Sequence, residues 1–381
     1  MRARALRLCA LAVALVLAGC ASIGPATIKR DRSDYSTAMA SSWKELQLLN
    51  IIKYRYFDPP VFLDVPSVVS QQEIEARARA ESRFFRHDLS TVAGGEDFYN
   101  LRAEGRYTDR PTITYTPITG QALVDLLLRP TPPATVFAMI DAGYPAVFIM
   151  ERSVKSINDL HNYSLIPNRG GHPEDPRFHE LLEAMGRLQR AGAIAARTTS
   201  GDGESSTTTL ARPSNTTGPT ENKALVTTLY FRRHASAAVA RDIRLVKSLL
   251  GLDPGRNEFR VTDSPRHTPE EIAVDSRSLQ EILEELASGV DVPPEDVITG
   301  RATSVPPFAA SPDSLPLIHV YSGPTAPDDV YTAVYYQHCW FWVDNHDLLS
   351  KLDFIYLMVF AALSQSRSIP QLPLVTISAG Q

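Results

Sequence analysis

Cysteine is scarce in this chain, which has three in 381 residues: Cys9, Cys20 and Cys339. Two of them lie in the first 20 residues, so Cys339 is alone in the remainder. A single cysteine cannot form an internal disulfide, and the rest of the chain must be stabilised by packing. Cys339 lies in an apolar, strand-like pattern, and we expect it to be a small buried hydrophobic residue.

An excess of positive charge is also missing. The chain has 38 Lys and Arg against 43 Asp and Glu, a formal net charge of -5 at pH 7, and no basic tract. Binding to nucleic acid or to an anionic lipid surface relies on clustered cations, so we expect no nucleic-acid partner. Scattered Lys and Arg are typical of a solvated surface.

Signatures of common catalytic and nucleotide-binding sites are absent from the sequence. It has no GxSxG nucleophile elbow, no GxxxxGK[ST] phosphate loop and no GxGxxG after a strand. His179-Glu180 is not followed by a second His at the spacing of an HExxH zinc helix. We therefore assign no catalytic residue.

The first 20 residues have the layout of a secretory signal. Arg2, Arg4 and Arg7 precede an apolar run from Leu8 to Leu17. An uncleaved membrane anchor is the alternative, but the run is shorter than the ~20 residues that cross a bilayer. It ends in Leu17-Ala18-Gly19-Cys20, which resembles the lipobox of bacterial lipoproteins.

The lipobox resemblance implies cleavage between Gly19 and Cys20, and a covalent lipid on Cys20 as the only added group. Two or three acyl chains hold a protein firmly, since each buried methylene contributes roughly 0.8 kcal/mol. In such lipoproteins an Asp after the Cys indicates inner-membrane retention, so Ala21 implies an outer-membrane anchor with the body in the periplasm. The processed chain keeps 35 basic and 43 acidic residues, a formal charge of -8.

Composition divides the chain into five parts, and the predicted fold class is α+β, with mixed or antiparallel sheets packed by helices. One arrangement is two α+β halves joined by a flexible linker. The parts are a signal peptide (1–19), a lipidated tether (20–35), an N-terminal α+β domain (36–196), a Ser/Thr/Gly-rich linker or insert (197–223), and a C-terminal α+β domain (224–381).

Periodicity and turn residues predict the main elements. Helices are predicted at 36–56, 120–128, 132–142, 175–192, 236–250 and 347–364, and from the capping-box pattern Thr268-Pro269-Glu270-Glu271 to Gly289. Residues 147–157 fit a strand or a helix. Strands are predicted at 61–65, 112–116, 224–231, 258–262, 317–321, 331–343 and 374–377.

Four short stretches, spread over most of the chain after residue 20, carry a family resemblance. They are 43–50 with Tyr54-Arg55-Tyr56, 113–120, Arg277-Ser278-Leu279 leading to Val292-Pro293, and 340–343 leading to Ser350-Lys351. In this order they resemble a family of uncharacterised lipoproteins from Gram-negative bacteria. The resemblance implies an envelope location and brings no activity and no catalytic residues.

The densest cluster of reactive side chains is His338-Cys339, followed by Asp344, His346 and Asp347. A metal site would use both His, the Cys and a carboxylate. In a strand His338 and Cys339 point to opposite faces, which argues against a shared ion and against a thiol dyad. We therefore assign no metal, and expect a turn at 344–347 with Asp347 capping the last helix.

A second polar group, His172, Asp175 and His179, also lacks metal-ligand spacing. His179 alternates with the apolar stripe of its helix, so we expect it to be exposed.

Three cations lie in the family-like stretches: Arg55, Arg277 and Lys351. One interpretation is a cationic site for an anionic ligand. The other, which we favour, is that each cation caps a helix or pairs with a carboxylate in a half-buried place.

An aromatic run at 335–342 alternates around both faces of the predicted strand. One face must be core, and the other is a candidate interaction surface because exposed aromatic residues mark interfaces. The candidate residues for this surface are Tyr336, Trp340 and Trp342.

These observations lead to one functional hypothesis and one alternative. The hypothesis is a non-enzymatic, lipid-anchored binding or assembly component of the cell envelope, with another envelope protein or a glycan as its partner. The alternative is a periplasmic enzyme or small-ligand binder with a site between the two halves. A pocket with convergent acidic, His or Arg side chains favours the alternative, and a flat apolar patch favours the hypothesis.

Overall fold

A computed structural model describes residues 23–69, 72–83, 98–109, 112–165, 171–200, 225–233, 236–264, 266–303 and 316–365. The described residues form nine helices, a mixed six-stranded sheet, a three-stranded antiparallel sheet and two strand pairs, which confirms the α+β class. The helices are α1 (Ile23–Arg55), α2 (Gly120–Leu128), α3 (Pro133–Asp141), α4 (Ala146–Ser153), α5 (Pro176–Arg190), α6 (Ala237–Leu249), α7 (Leu279–Ala287), α8 (Pro294–Ile298) and α9 (Leu348–Gln365).

The strands are β1 (Leu63–Val69), β2 (Gln72–Arg83), β3 (Phe98–Asp109), β4 (Thr112–Pro117), β5 (Val154–Ile157), β6 (Leu160–His161), β7 (Ile194–Ser200), β8 (Leu225–Phe231), β9 (Glu258–Thr262), β10 (Glu271–Ser276), β11 (Tyr321–Gly323), β12 (Val330–Tyr336) and β13 (Cys339–Asp344). Contacts divide the chain into two units, 61–119 and the remainder. In the smaller unit β1 pairs with β4 and β2 with β3, both antiparallel.

The six-stranded sheet of the larger unit has the order β6-β5-β10-β9-β8-β7. Only β9 and β10 are parallel within it, and the other neighbours are antiparallel. Its apolar residues pack against helices with strong buried stripes. In α5 that stripe is fully buried and includes Phe178, Leu181, Leu182 and Leu188.

Local signals explain where the best-defined helices begin. Asp175 accepts a hydrogen bond from the Arg177 backbone N–H at 2.8 Å, and Pro176 is the first residue of α5. Ser278 and Glu281 form a reciprocal capping box at the start of α7.

The three-stranded sheet has the order β11-β13-β12 and packs against α1. Tyr56 follows α1 and meets the ring of Phe341 on β13 edge to face, with centroids 6.2 Å apart. On the same side, the ring of Tyr331 meets Phe354 of α9 at 5.3 Å. This packing fixes which face of the sheet is core.

We expected two halves that meet at residues 197–223, but the structure divides the chain elsewhere. The strands flanking that segment, β7 and β8, pair along all seven residues of each, so the two halves share one sheet. The segment that contacts set apart is 61–119. The tether expected at 20–35 also differs, because α1 already begins at Ile23.

Two element predictions were wrong for physical reasons. The capping-box pattern at Thr268 does not open a helix. Glu271 begins β10, whose apolar residues Ile272 and Val274 are buried between β9 and β5, and burial outweighs the local signal. The strand predicted at 331–343 is two strands, β12 and β13, joined by the turn Gln337-His338.

Several predictions lie outside the described residues. These are the signal peptide, Gly19, Cys20, most of the linker or insert, and the strand at 374–377. Among the helices that the structure describes, none has the length and apolarity needed to cross a membrane.

Candidate functional site

Residues of β13 alternate strictly between the two faces of the three-stranded sheet. Cys339, Phe341 and Val343 are buried, whereas Trp340 and Trp342 are part-exposed. Because successive side chains of a strand point to opposite faces, the two tryptophans lie on the face opposite the core. This outer face is the candidate site.

Tyr336 is a correction to the predicted interaction surface. It pairs with Cys339 across the hairpin and therefore shares the inner face. Its ring meets Tyr56 edge to face at 5.7 Å, and its hydroxyl donates a hydrogen bond to Asp58. Burial, followed by the bond to Asp58, raises the pKa of Tyr336. Tyr336 is part-exposed, and its ring and hydroxyl tie the sheet to the residues after α1.

The outer face carries four aromatic rings, which we call the aromatic face: Tyr321, Tyr335, Trp340 and Trp342. Trp340 pairs with Tyr335, and their ring centroids are 5.5 Å apart. Trp342 pairs with Tyr321, and these rings stack with an interplanar angle of 18°. Tyr335 is 57% exposed. The rings thus form two contacting pairs on this face, one joining β11 to β13 and one joining β12 to β13.

Small residues leave the aromatic face open. Gly323 pairs with Trp340 on one side, and Ala333 pairs with Trp342 on the other. A Cβ on Gly323 would lie 3.2 Å from the ring of Trp342, so the glycine lets that ring lie close over β11. Neither small residue covers the tryptophans.

A histidine and a carboxylate extend the aromatic face at one edge. The ring of His319 stacks on Tyr321 with centroids 4.0 Å apart. Nε2 of His319 lies 2.9 Å from a carboxylate oxygen of Asp291, which precedes α8. Neither residue is among the candidates predicted from the sequence. The spacing His319-x-Tyr321, repeated as Trp340-x-Trp342, is the signal for a shared strand face.

The His338-Cys339 cluster is not a site in this structure. His338 occupies a tight turn with Gln337, and both have positive φ, 64° and 47°. The thiol of Cys339 is buried and donates to the carbonyl of Gly323 at 3.2 Å. In the described part of the chain, no three His, Cys, Asp or Glu side chains come together in a way that would hold a metal ion.

The turn after β13 forms as expected. Asp344 accepts from the backbone N–H of His346, and that bond holds the pKa of Asp344 below its usual range. Asp347 caps α9 by accepting from the backbone N–H of Ser350 at 3.0 Å. These residues are structural, although Asp344 lies two positions after Trp342 and so shares its face.

Arg277 is buried in the core, with 2% of its side chain exposed. Its guanidinium donates to the carbonyls of Glu151 and Tyr163, each at 2.5 Å, and lies 3.4 Å from the carboxylate of Glu285. Burial raises the pKa of Glu285, and Arg277 opposes the rise. Arg277 thus links α4, α7 and the loop after β6.

A second buried ion pair, which sequence reasoning missed, joins Arg152 of α4 to Asp353 of α9. Two guanidinium nitrogens donate to the carboxylate, one of them at 3.1 Å. Burial raises the pKa of Asp353 to about 6 despite these bonds. Arg152 and Asp353 each lie inside an apolar run of the sequence. A charged residue in such a run is buried only when it is paired, so two such residues of opposite charge indicate a buried ion pair.

The other two predicted cations have separate surroundings. Arg55 is buried and donates to the Thr303 hydroxyl at 3.0 Å, and burial lowers its pKa. Lys351 donates to the backbone and side-chain oxygens of Asn345 at 2.6 and 2.9 Å. Arg55, Arg277 and Lys351 therefore do not converge on a common anion site.

The group His172, Asp175 and His179 is likewise dispersed. Asp175 caps α5 and pairs with Arg177, which lowers the pKa of Asp175. His179 is exposed and lies 3.4 Å from Glu174. These contacts are those of a helix end.

One cavity of about 240 Å³ lies beside β7. Its lining is mainly apolar, with Asp141 as its only charged residue. The lining residues are Phe137, Ile140, Asp141, Gly143, Gln189, Ile194, Ala195, Ala196 and Leu229. No convergent set of acidic, His or Arg side chains lines this cavity, so it does not supply the feature expected of an enzyme site.

Comparison with known proteins identifies no relative: no family model, no curated protein and no solved structure matches this chain.

Proposed function

We propose that this chain is a non-enzymatic lipoprotein of the outer membrane, anchored through lipid on Cys20, that binds another envelope component through the aromatic face. The observation that supports binding is the set of four rings on the outside of a sheet whose inner face is core. Exposed aromatic groups of this size mark interaction surfaces.

The location rests on Leu17-Ala18-Gly19-Cys20 and the basic, apolar segment before it. Lipid on Cys20 restricts the body to the membrane surface, which raises its effective concentration toward membrane-bound partners. The favoured partner is another envelope protein, because partly exposed Trp and Tyr side chains are enriched at protein interfaces.

In-cell crosslinking of a C-terminally tagged chain, followed by mass spectrometry of captured proteins, tests this function. We expect one dominant envelope protein with the native chain. Its capture should fall when Tyr335 and Trp342 are both replaced by Ala, and when Cys20→Ser releases the body. Tyr115→Ala is the matched control, since Tyr115 is a 53% exposed aromatic residue on β4.

Two results contradict the proposal. One is the absence of any partner above background with the native chain. The other is equal capture by the native chain and the variant lacking Tyr335 and Trp342.

A further inference from the structure

The segment that forms the three-stranded sheet has a charge of one sign. Residues 318–347 contain four Asp, three His and no Lys or Arg, although the whole chain has 38 Lys and Arg. A surface that lacks cations while carrying several carboxylates favours a partner of opposite charge.

Carboxylates border the aromatic face at two places. Asp291 lies at the β11 edge, bonded to His319, and its side chain is 61% exposed. On the other side of Trp342, Asp344 follows it on the same face, and Asn345 donates to Asp329, next to the start of β12, at 2.7 Å. The side chain of Asp329 is 65% exposed. Because Trp342 pairs with Tyr321 and Asp344 pairs with Val330, these carboxylates lie at the end of the sheet that holds the Tyr321-Trp342 pair. A ligand on that pair therefore meets negative charge on both sides.

Two lysines lie near this sheet, and the charge of Lys351 adds to the His346 backbone bond in lowering the pKa of Asp344. Nζ of Lys44 donates to the backbone oxygen of Tyr331, whose ring packs on Phe354 on the core side. Nζ of Lys351 lies 5.3 Å from the same ring centroid and donates to Asn345. The ammonium group of Lys44 thus donates to Tyr331, and that of Lys351 donates to Asn345.

We propose that the aromatic face binds a lysine- or arginine-bearing segment of a partner protein, an inference that rests on the proposed function. A cation over a Trp or Tyr face is attracted by the negative electrostatic potential over the neutral ring, and desolvation strengthens this attraction. Asp291, Asp329 and Asp344 add long-range attraction that steers such a segment to the rings.

A glycan is the competing occupant, because sugar rings also pack on flat aromatic surfaces. The two are distinguished by salt. Binding of a cationic segment weakens as salt screens the carboxylates, with a screening length of about 10 Å at ~0.1 M. Stacking of a neutral sugar has no such dependence.

The test measures binding to the lipidated full chain in neutral detergent. The cationic probe is a fluorescein-labelled peptide of alternating Lys and Ala, read by anisotropy. A Glu-Ala peptide of equal length is the charge control, and an N-acetylglucosamine oligomer, read by tryptophan fluorescence, is the sugar probe.

Four variants locate the site. We expect Trp342→Ala to weaken binding of the Lys-Ala peptide about tenfold, the effect of losing one partly desolvated cation–π contact. Tyr335→Ala should weaken binding too, and its exposed position leaves the fold intact. Replacing Asp291 and Asp329 together by Asn should weaken it several-fold. Asp159→Asn, at a side chain that is 91% exposed, should have no effect.

The inference is supported if the Lys-Ala peptide alone binds, salt weakens it, and the aromatic-face variants reduce it. Binding of the sugar probe alone overturns it. Binding of the Lys-Ala peptide that is as strong in the Tyr335→Ala and Asp291/Asp329 variants as in the native chain also overturns it. No binding of the Lys-Ala peptide also overturns it. If in-cell capture still depends on Tyr335 and Trp342, the proposed function stands while its cationic partner does not.

Discussion

Replacing Arg277 by Ala is predicted to destabilise the protein severely. The change removes hydrogen bonds to the carbonyls of Glu151 and Tyr163. It also leaves the carboxylate of Glu285, which is 1% exposed, without its cation. Breaking a buried pair in this way costs about 3–5 kcal/mol, because the remaining charge is neither hydrated nor paired.

That magnitude is a large part of the free energy of unfolding, which is about 5–15 kcal/mol for a typical domain. Urea unfolding of the purified Cys20→Ser chain, followed by tryptophan fluorescence, measures the loss. The matched control is Arg256→Ala, whose pair with Glu270 is solvent-exposed on both sides. We expect that control to lose less than about 1 kcal/mol.

The double variant Arg277→Met with Glu285→Gln tests the cause. It removes both charges, so it should be clearly more stable than Arg277→Ala. If Arg277→Ala differs from Arg256→Ala by less than about 1 kcal/mol, the buried pair does not have the role assigned to it.

Further predictions concern the anchor, a helix cap and a buried acid. Cys20→Ser should abolish lipid labelling and release the body to the soluble fraction, and unchanged labelling would refute the lipobox assignment. Ser278→Ala should cost about 1 kcal/mol in unfolding measurements by removing the α7 cap, whereas no loss would mean that tertiary packing alone sets that helix end. Burial raises the pKa of Asp353 to about 6 from 3.8, so the folded state holds this proton more tightly than the unfolded state. Stability from this group is therefore present below about pH 4 and lost as pH rises through about 6, so the native chain should lose stability relative to Asp353→Asn over that window. A relative gain over the same window would contradict this sign.

Much of the fold was predictable where local pattern and packing agree. The apolar stripe of α5 and its Asp175-Pro176 start indicated the helix, and the Ser278 to Glu281 spacing suits the cap of α7. Prediction failed at Thr268 because the local capping pattern competes with burial of β10. That burial depends on pairing with other strands, which a short stretch of sequence does not reveal. It failed again at Gln337-His338, since a two-residue turn with positive φ ordinarily has Gly or Asn.

The candidate site was predictable only in part. Alternation correctly separates Trp340 and Trp342 from the core side of β13, but it does not say which residues of β12 join them. Tyr336 was placed with the tryptophans, whereas hairpin register puts Tyr335 there. Asp291 and His319 reach the site through a contact between distant segments, and no sequence pattern joins them.

A photoreactive phenylalanine analogue at position 335 tests the central claim most directly. In growing cells, light should crosslink it to one envelope protein, and the same analogue at Leu128, which is 53% exposed, should not capture that protein. Mass spectrometry should place the crosslink next to Lys or Arg residues of the partner. An identical set of captured proteins from both positions, or none from position 335, would contradict a binding role for the aromatic face.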